Sequence, residues 1–336
     1  MGILLCYAAI LVLSSVIVTV FVMKKRAFSP CDWLDRNHTA VIKGVSIVFV
    51  VLGHIGNANG VRITAPLGGM GVAAFLICSG FGINQSSKNR FSPIGYWLKR
   101  IVNVMLPYFI IRTVVTIISG SFDFVPFVLD ITLINPLYPF GWYLQFIMIW
   151  YFAFFIAHLI AEKTTVIWKV VILSAASVAC FFLSPTELQA EQSISFLIGV
   201  LLSEFYTEVF EAVKKRGVLL IVIPALVGCA AFALKQVLSP EMTYLIYLVQ
   251  LIYKLFWMLT VIIVVYYALQ KFSLALFSWI GAVSYEVYLI HGYMFDWLKT
   301  YYGIPLFIIC VAAASFVMHF GMNSIKKLVF KNGRFN

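Results

Sequence analysis

Lys43 and His54 lie in one apolar stretch with ten residues between them. On an α-helix, eleven positions at about 100° each bring the two side chains to within about 20° of one another. Their axial separation is then roughly 16 Å, about half the hydrocarbon thickness of a bilayer. Ser46, Val50 and Asn57 share that face. If the stretch crosses a membrane, a cation near one surface is aligned with an imidazole at depth. An imidazole titrates near neutral pH and can take a proton from a hydroxyl. An ammonium at the membrane surface can hold an anionic donor such as a phosphate-bearing thioester. A snorkelling lysine beside a hydrogen-bonded packing histidine would have the same sequence, but ionisable groups within a membrane are costly and most often functional.

The elements that must position this pair are membrane helices. Of 336 residues, 62% are hydrophobic and 11% charged, a composition outside the range of soluble domains of this size. We expect an all-α, polytopic membrane bundle of about 10–11 transmembrane helices, forming a single domain over residues 1–336. The apolar segments are approximately 3–23, 41–57, 68–84, 101–119, 141–161, 166–183, 193–207, 217–234, 244–270, 274–295 and 304–325. Segments 41–57, 68–84 and 193–207 are short, so tilted, broken or partly re-entrant forms are open to them. Segment 3–23 lacks a basic leader and a small-residue cleavage site, and Lys24, Lys25 and Arg26 follow it, so it reads as a retained first span.

Charge placement sets the orientation. The net charge of +11 does not indicate nucleic acid, because the basic residues fall between apolar runs. With the N-terminus outside and the C-terminus cytoplasmic, 19 of the 24 Lys and Arg residues fall inside or at inner ends of spans. Arg62, Lys235 and Lys299 fall outside, and Arg112 and Lys254 lie within spans. The outer loops carry Asp123, Asp130, Glu187, Glu191 and Glu241. The six cysteines are scattered with no metal-ligand spacing, so neither a metal site nor a disulfide framework is expected.

Arg112, Lys254 and Glu286 lie near the middle of their segments. An unpaired charge there costs at least about 2.5–3.5 kcal/mol on insertion scales. Glu286 with Arg112 or Lys254 is the expected pairing, either structural or lining a site. His291, near the outer end of its segment, reads equally as a group near an acceptor and as a packing residue. Asn57, one turn beyond His54, is placed to orient it or to contact substrate. Ser79 follows small residues, which favours close helix packing, and Trp142 is an interfacial aromatic or a stacking surface for sugar.

Several ordered segments resemble the acyltransferase-3 family of integral membrane O-acyltransferases. Lys43-x10-His54 is similar to that family's Arg/Lys-x10-His signature. The run Gly68-Gly69-Met70-Gly71 through Phe75 to Ser79-Gly80-Phe81 resembles its glycine-rich span. Tyr96-Trp97-Leu98-Lys99-Arg100-Ile101 through Pro107-Tyr108 resembles its basic segment before a proline-bearing span. Gly141-Trp142-Tyr143-Leu144 and Ser284-Tyr285-Glu286-Val287-Tyr288-Leu289-Ile290-His291 resemble its later signatures. The resemblance covers roughly residues 35–325. Three departures stand out: Lys at position 43 where Arg is commoner, Phe75-Leu76 where two aromatics are usual, and the extra N-terminal span. A lysine is a point charge without the bidentate fork of arginine.

The resemblance implies transfer of an acyl group, usually acetyl from cytoplasmic acetyl-CoA, to a hydroxyl of a cell-envelope or exported polysaccharide or lipid-linked sugar. The partners are then acyl-CoA, the glycan acceptor and the lipid bilayer of a bacterial inner membrane, with homo-oligomerisation left open. Such chemistry needs a base and a positive site for the developing oxyanion. His54 is the expected base beside Lys43, and Lys43, Lys99 and Arg100 are the expected contacts for CoA phosphates. Arg112, Trp142, Asn57, Ser79, Glu286 and His291 are expected to line the site. Two other classes fit a polytopic chain with buried charges: a transporter or flippase for a lipid-linked sugar or polysaccharide, and a structural partner of a synthase. A transporter would more often show inverted repeats, and the sequence has no clear duplication.

Overall fold

The structure, a computed structural model, describes residues 32–89, 91–300 and 303–330. The expected span 3–23 and its basic flank lie outside the described residues.

Asp35 opens the first described helix by accepting a hydrogen bond from the His38 N–H at 2.7 Å. The order is then α1 (Arg36–Ala58), a short 3-10 turn, α2 (Ala65–Asn89), α3 (Pro93–Arg100), a π-helical turn (Ile101–Met105) and α4 (Leu106–Ser119). There follow α5 (Phe124–Ile131), α6 (Gly141–Lys163), α7 (Val166–Leu183), the single turn Glu187–Ala190, α8 (Ser195–Glu204), α9 (Tyr206–Val237) and α10 (Thr243–Leu269). The chain closes with α11 (Ala275–Ala282), α12 (Ser284–His291), a 3-10 segment (Gly292–Lys299) and α13 (Gly303–Phe330).

The chain is a helical, polytopic membrane protein. Eight described helices are long and apolar enough to cross a bilayer: α1, α2, the continuous α3–α4, α6, α7, α9, α10 and α13. They coincide with eight of the expected segments. The other two described segments are interrupted. Segment 193–207 forms only α8, because the polar run Glu191-Gln192-Ser193 is held in a buried turn before it. Segment 274–295 breaks at Val283, whose backbone leaves the helical region (φ −106°, ψ 9°), while the Ser284 hydroxyl donates to the Gly281 carbonyl at 2.9 Å. Large apolar side chains such as Ile118, Leu183 and Val218 stay at least 78% exposed, as lipid-facing positions should.

The fold divides into two compact units, Met1–Asn84 with Ala157–Ser284, and Gln85–Ile156 with Tyr285–Asn336. In the first unit, Val41 and Ile42 of α1, Ala73 and Ile77 of α2, and Met258 and Ile262 of α10 form a buried core. The α1 and α11 backbones touch through reciprocal glycines. A Cβ on Gly44 would lie 1.9 Å from the Phe277 carbonyl oxygen, and one on Gly281 1.9 Å from that of Ala40. In the second unit, the π turn precedes Pro107, which has no N–H to continue the ladder. The Tyr285 hydroxyl donates to the Val104 carbonyl of that turn at 2.7 Å. The Tyr96 ring stacks on Phe154, and its hydroxyl donates to the Tyr151 carbonyl at 2.6 Å.

Candidate active site

Lys43 and His54 stand on α1 in the first unit, both half-buried. The face they share is laid along the glycine-rich part of α2. A Cβ on Gly71 would lie 2.4 Å from the Ser46 carbonyl oxygen and 2.8 Å from Cγ2 of Val50. One on Gly53, beside His54, would lie 2.9 Å from the Gly68 amide nitrogen. Small residues are what allow two backbones to come this near in a membrane. Lys43 is also within electrostatic range of the buried Cys78 on α2, next to the half-buried Ser79. Asn57 is exposed at the end of α1.

The start of α2 carries a buried polar group on its other side. A Cβ on Gly69 would meet Cδ of Lys254 at 2.6 Å and its Nζ at 3.2 Å, so the missing side chain is the space the lysine occupies. The Gln192 amide donates to the Gly69 carbonyl at 3.0 Å. Lys254 pairs with Glu191 and donates to the Gln250 side-chain oxygen at 3.1 Å, while the Gln250 amide donates to Glu187. Burial pushes the Glu191 carboxyl above the usual carboxylate range, and the Lys254 ammonium opposes that push. The expected partnership of Lys254 with Glu286 is therefore corrected: its counter-charge comes from the segment between α7 and α8.

The same correction applies in the second unit. Arg112 pairs through Nε with the fully buried Asp130 of α5, not with Glu286. The Tyr108 hydroxyl also donates to Asp130, and Arg112 donates from Nη1 to the Tyr293 hydroxyl at 2.9 Å. Glu286 instead meets His319 of α13 at 3.1 Å. Arg112 and Lys254 are each neutralised by an acid from a connecting segment, which a search confined to the apolar runs does not reach.

His291 is buried at the end of α12, with Nδ1 2.8 Å from the Tyr288 carbonyl oxygen and its ring stacked 4.8 Å from Phe140. Trp142 is half-buried against Tyr143 and Phe146. Lys99 and Arg100, expected to act alike, differ. Lys99 is exposed, whereas Arg100 is buried with its guanidinium 3.8 Å from the Tyr96 ring centroid and a 3.0 Å hydrogen bond to the Tyr96 carbonyl.

The residues missed from sequence are Asp130, Glu191, Gln192, Gln250, Tyr108, Tyr138 and Tyr293. The two acids were visible as outer-loop charges. The requirement that Arg112 and Lys254 be neutralised is the one signal that would have singled them out.

An apolar helix whose imidazole-and-ammonium face lies against a glycine-rich neighbour, in a chain whose Arg112 and Lys254 each meet a buried acid, is the framework of a membrane enzyme. The chain matches the family described as an acyltransferase domain, Acyl_transf_3, over residues 32–321, and it belongs to that family. It is a membrane O-acyltransferase, transferring groups other than aminoacyl groups. No curated protein and no solved structure matches the chain.

Proposed function

We propose that this acyltransferase moves an acetyl group from cytoplasmic acetyl-CoA to a hydroxyl of a cell-envelope or exported polysaccharide, in a bacterial cytoplasmic membrane. The observation that carries the assignment is the Lys43–His54 face of α1 laid along the glycine-rich part of α2 in a chain of this family. His54 takes the proton of the acceptor hydroxyl as its oxygen attacks the thioester carbonyl carbon. The new C–O ester bond forms, the C–S bond breaks, and the departing thiolate receives the proton as free CoA. Lys43 holds a CoA phosphate as a point charge, and Lys99 and Arg100 are further candidates for phosphate contact. Arg100, packed over Tyr96, is the more rigidly placed of the two. Asn57 and Ser79 of the first unit, and Trp142, His291, Arg112 and Glu286 of the second, are further candidates for substrate contact, Arg112 from its ion pair with Asp130 and Glu286 from its contact with His319.

The test compares envelope polysaccharide from cells with the wild-type protein, with His54→Ala and with none. Base-released acetate and polymer mass should show ester-linked acetyl only in the first. Ester formation at the wild-type level by His54→Ala would remove the base assignment. An unchanged polymer in cells lacking the protein would remove the acceptor class.

A further inference from the structure

The end of α12 is opened by a side chain from outside it. In an unbroken α-helix the Gly292 N–H would join the Tyr288 carbonyl directly. Here the Tyr138 hydroxyl stands between them: it donates to the Tyr288 carbonyl at 2.6 Å and accepts from the Gly292 N–H at 3.3 Å. A side chain inserted into the i→i−4 ladder is one of the recognised causes of a helix break, and the chain continues as a 3-10 segment from Gly292. The opened Tyr288 carbonyl lies 2.8 Å from Nδ1 of His291. A carbonyl only accepts, so Nδ1 carries the proton and Nε2 carries the lone pair of the neutral ring.

The loop that delivers Tyr138 is anchored by the buried ion pair. Asp130 accepts from the Leu137 N–H at 2.8 Å, from the Tyr108 hydroxyl and from Nε of Arg112. Arg112 reaches the Tyr293 hydroxyl, and the Tyr293 ring lies 4.9 Å from that of Tyr138. Two residues beyond Tyr138, Phe140 stacks on His291 at an interplanar angle of 12°, and its carbonyl accepts the Tyr288 hydroxyl at 2.8 Å. Asp130 and Arg112 thus fix both the loop and the 3-10 segment between which His291 is held.

We infer that Tyr138, with Asp130 and Arg112 behind it, positions His291 by holding its proton on Nδ1 and its ring in a single orientation, the proton of the attacking hydroxyl being left to His54. Tyr138, Asp130 and Arg112 are positioning residues that act through His291. The inference rests on the acetyl-transfer assignment above for its functional half, whereas the tautomer is a property of the protein alone.

The experiment uses the full-length protein in lipid vesicles with ¹⁵N-labelled histidine. The chain has five histidines, and the His291 signals are identified by their loss in His291→Gln. The wild type should show one His291 species protonated at Nδ1. Tyr138→Phe lets the helix bond compete for the Tyr288 carbonyl, and Asp130→Asn loosens the loop, so each should convert that signal into a mixture of tautomers. Transfer from acetyl-CoA to de-O-acetylated envelope polysaccharide should fall about tenfold in kcat for Tyr138→Phe, with KM for acetyl-CoA within about twofold, as for lost alignment and not lost binding. A wild-type signal protonated at Nε2, or a tautomer unchanged in both variants, overturns the inference. So does a changed tautomer with undiminished kcat. His54→Ala run beside them reports on the acetyl-transfer assignment separately, because its effect does not pass through His291.

Discussion

At the scale of single residues, the site joins ordinary groups to unusually well-compensated charges. Lys43 is half-buried, and the phosphate contact proposed for it depends on charge and not on fork geometry. Lys43→Arg should therefore keep transfer, while Lys43→Ala should raise KM for acetyl-CoA about tenfold, the scale of one charge-assisted hydrogen bond. Initial-rate kinetics on vesicles decide it, and a kcat loss with unchanged KM would place Lys43 elsewhere in the reaction. Glu191 and Lys254 form a pair with side-chain exposures of only 2% and 8%. Glu191→Ala leaves Lys254 buried without its counter-charge and should cost about 3–5 kcal/mol, whereas Glu191→Leu with Lys254→Met should recover most of that loss. Thermal unfolding in detergent reads both, and a double variant no better than the single would show that the pair is not what matters. The Lys43–His54 alignment was legible from spacing alone. The partners of Arg112 and Lys254 were not, because Asp130 and Glu191 lie in connecting segments 18 and 63 residues away, and only the folded chain brings them back.

At the scale of elements, glycines decide how closely helices meet. Gly44 and Gly281 bring α1 and α11 into backbone contact, and either changed to Ala would place a methyl 1.9 Å from a carbonyl oxygen. Each should lower stability by about 1–3 kcal/mol through forced separation. Gly82 on α2 is exposed and has nothing within 4 Å of a built Cβ. Gly82→Ala should be neutral or stabilising by up to about 1 kcal/mol, since alanine is the better helix former. Midpoints of thermal unfolding for the three variants test the contrast, and equal losses at all three would contradict the packing described. The long apolar helices followed from hydropathy, although α9 begins at Tyr206 against an expected 217 and the α3–α4 span at Pro93 against an expected 101. The breaks at Val283 and Gly292 did not, because they come from the Ser284 hydroxyl and from Tyr138, a side chain about 150 residues distant.

At the scale of the whole molecule, eight long apolar helices make a polytopic membrane protein, and the distribution of Lys and Arg proposes its orientation. Lys214 and Glu241 are both exposed near opposite ends of α9. In a background with the native cysteines replaced by Ala, Glu241→Cys should react with a membrane-impermeant maleimide in intact cells. Lys214→Cys should react only after permeabilisation, and the reverse pattern would invert the orientation. That orientation also puts Lys43 on the cytoplasmic side, where the proposed acetyl-CoA donor would be met.

The sequence by itself determined the class of molecule, most of its long helices, the imidazole–ammonium alignment on α1 and the family to which the chain belongs. Each of these is local or additive: hydropathy accumulates along a segment, helical period follows from spacing, and a motif is read in order. Only the tertiary structure decided which acid meets which buried cation, that the Lys43–His54 face turns to the glycine-rich α2, and that Tyr138 opens the helix at His291. Those depend on contacts between residues far apart in the chain, where many pairings satisfy the same composition and packing selects one.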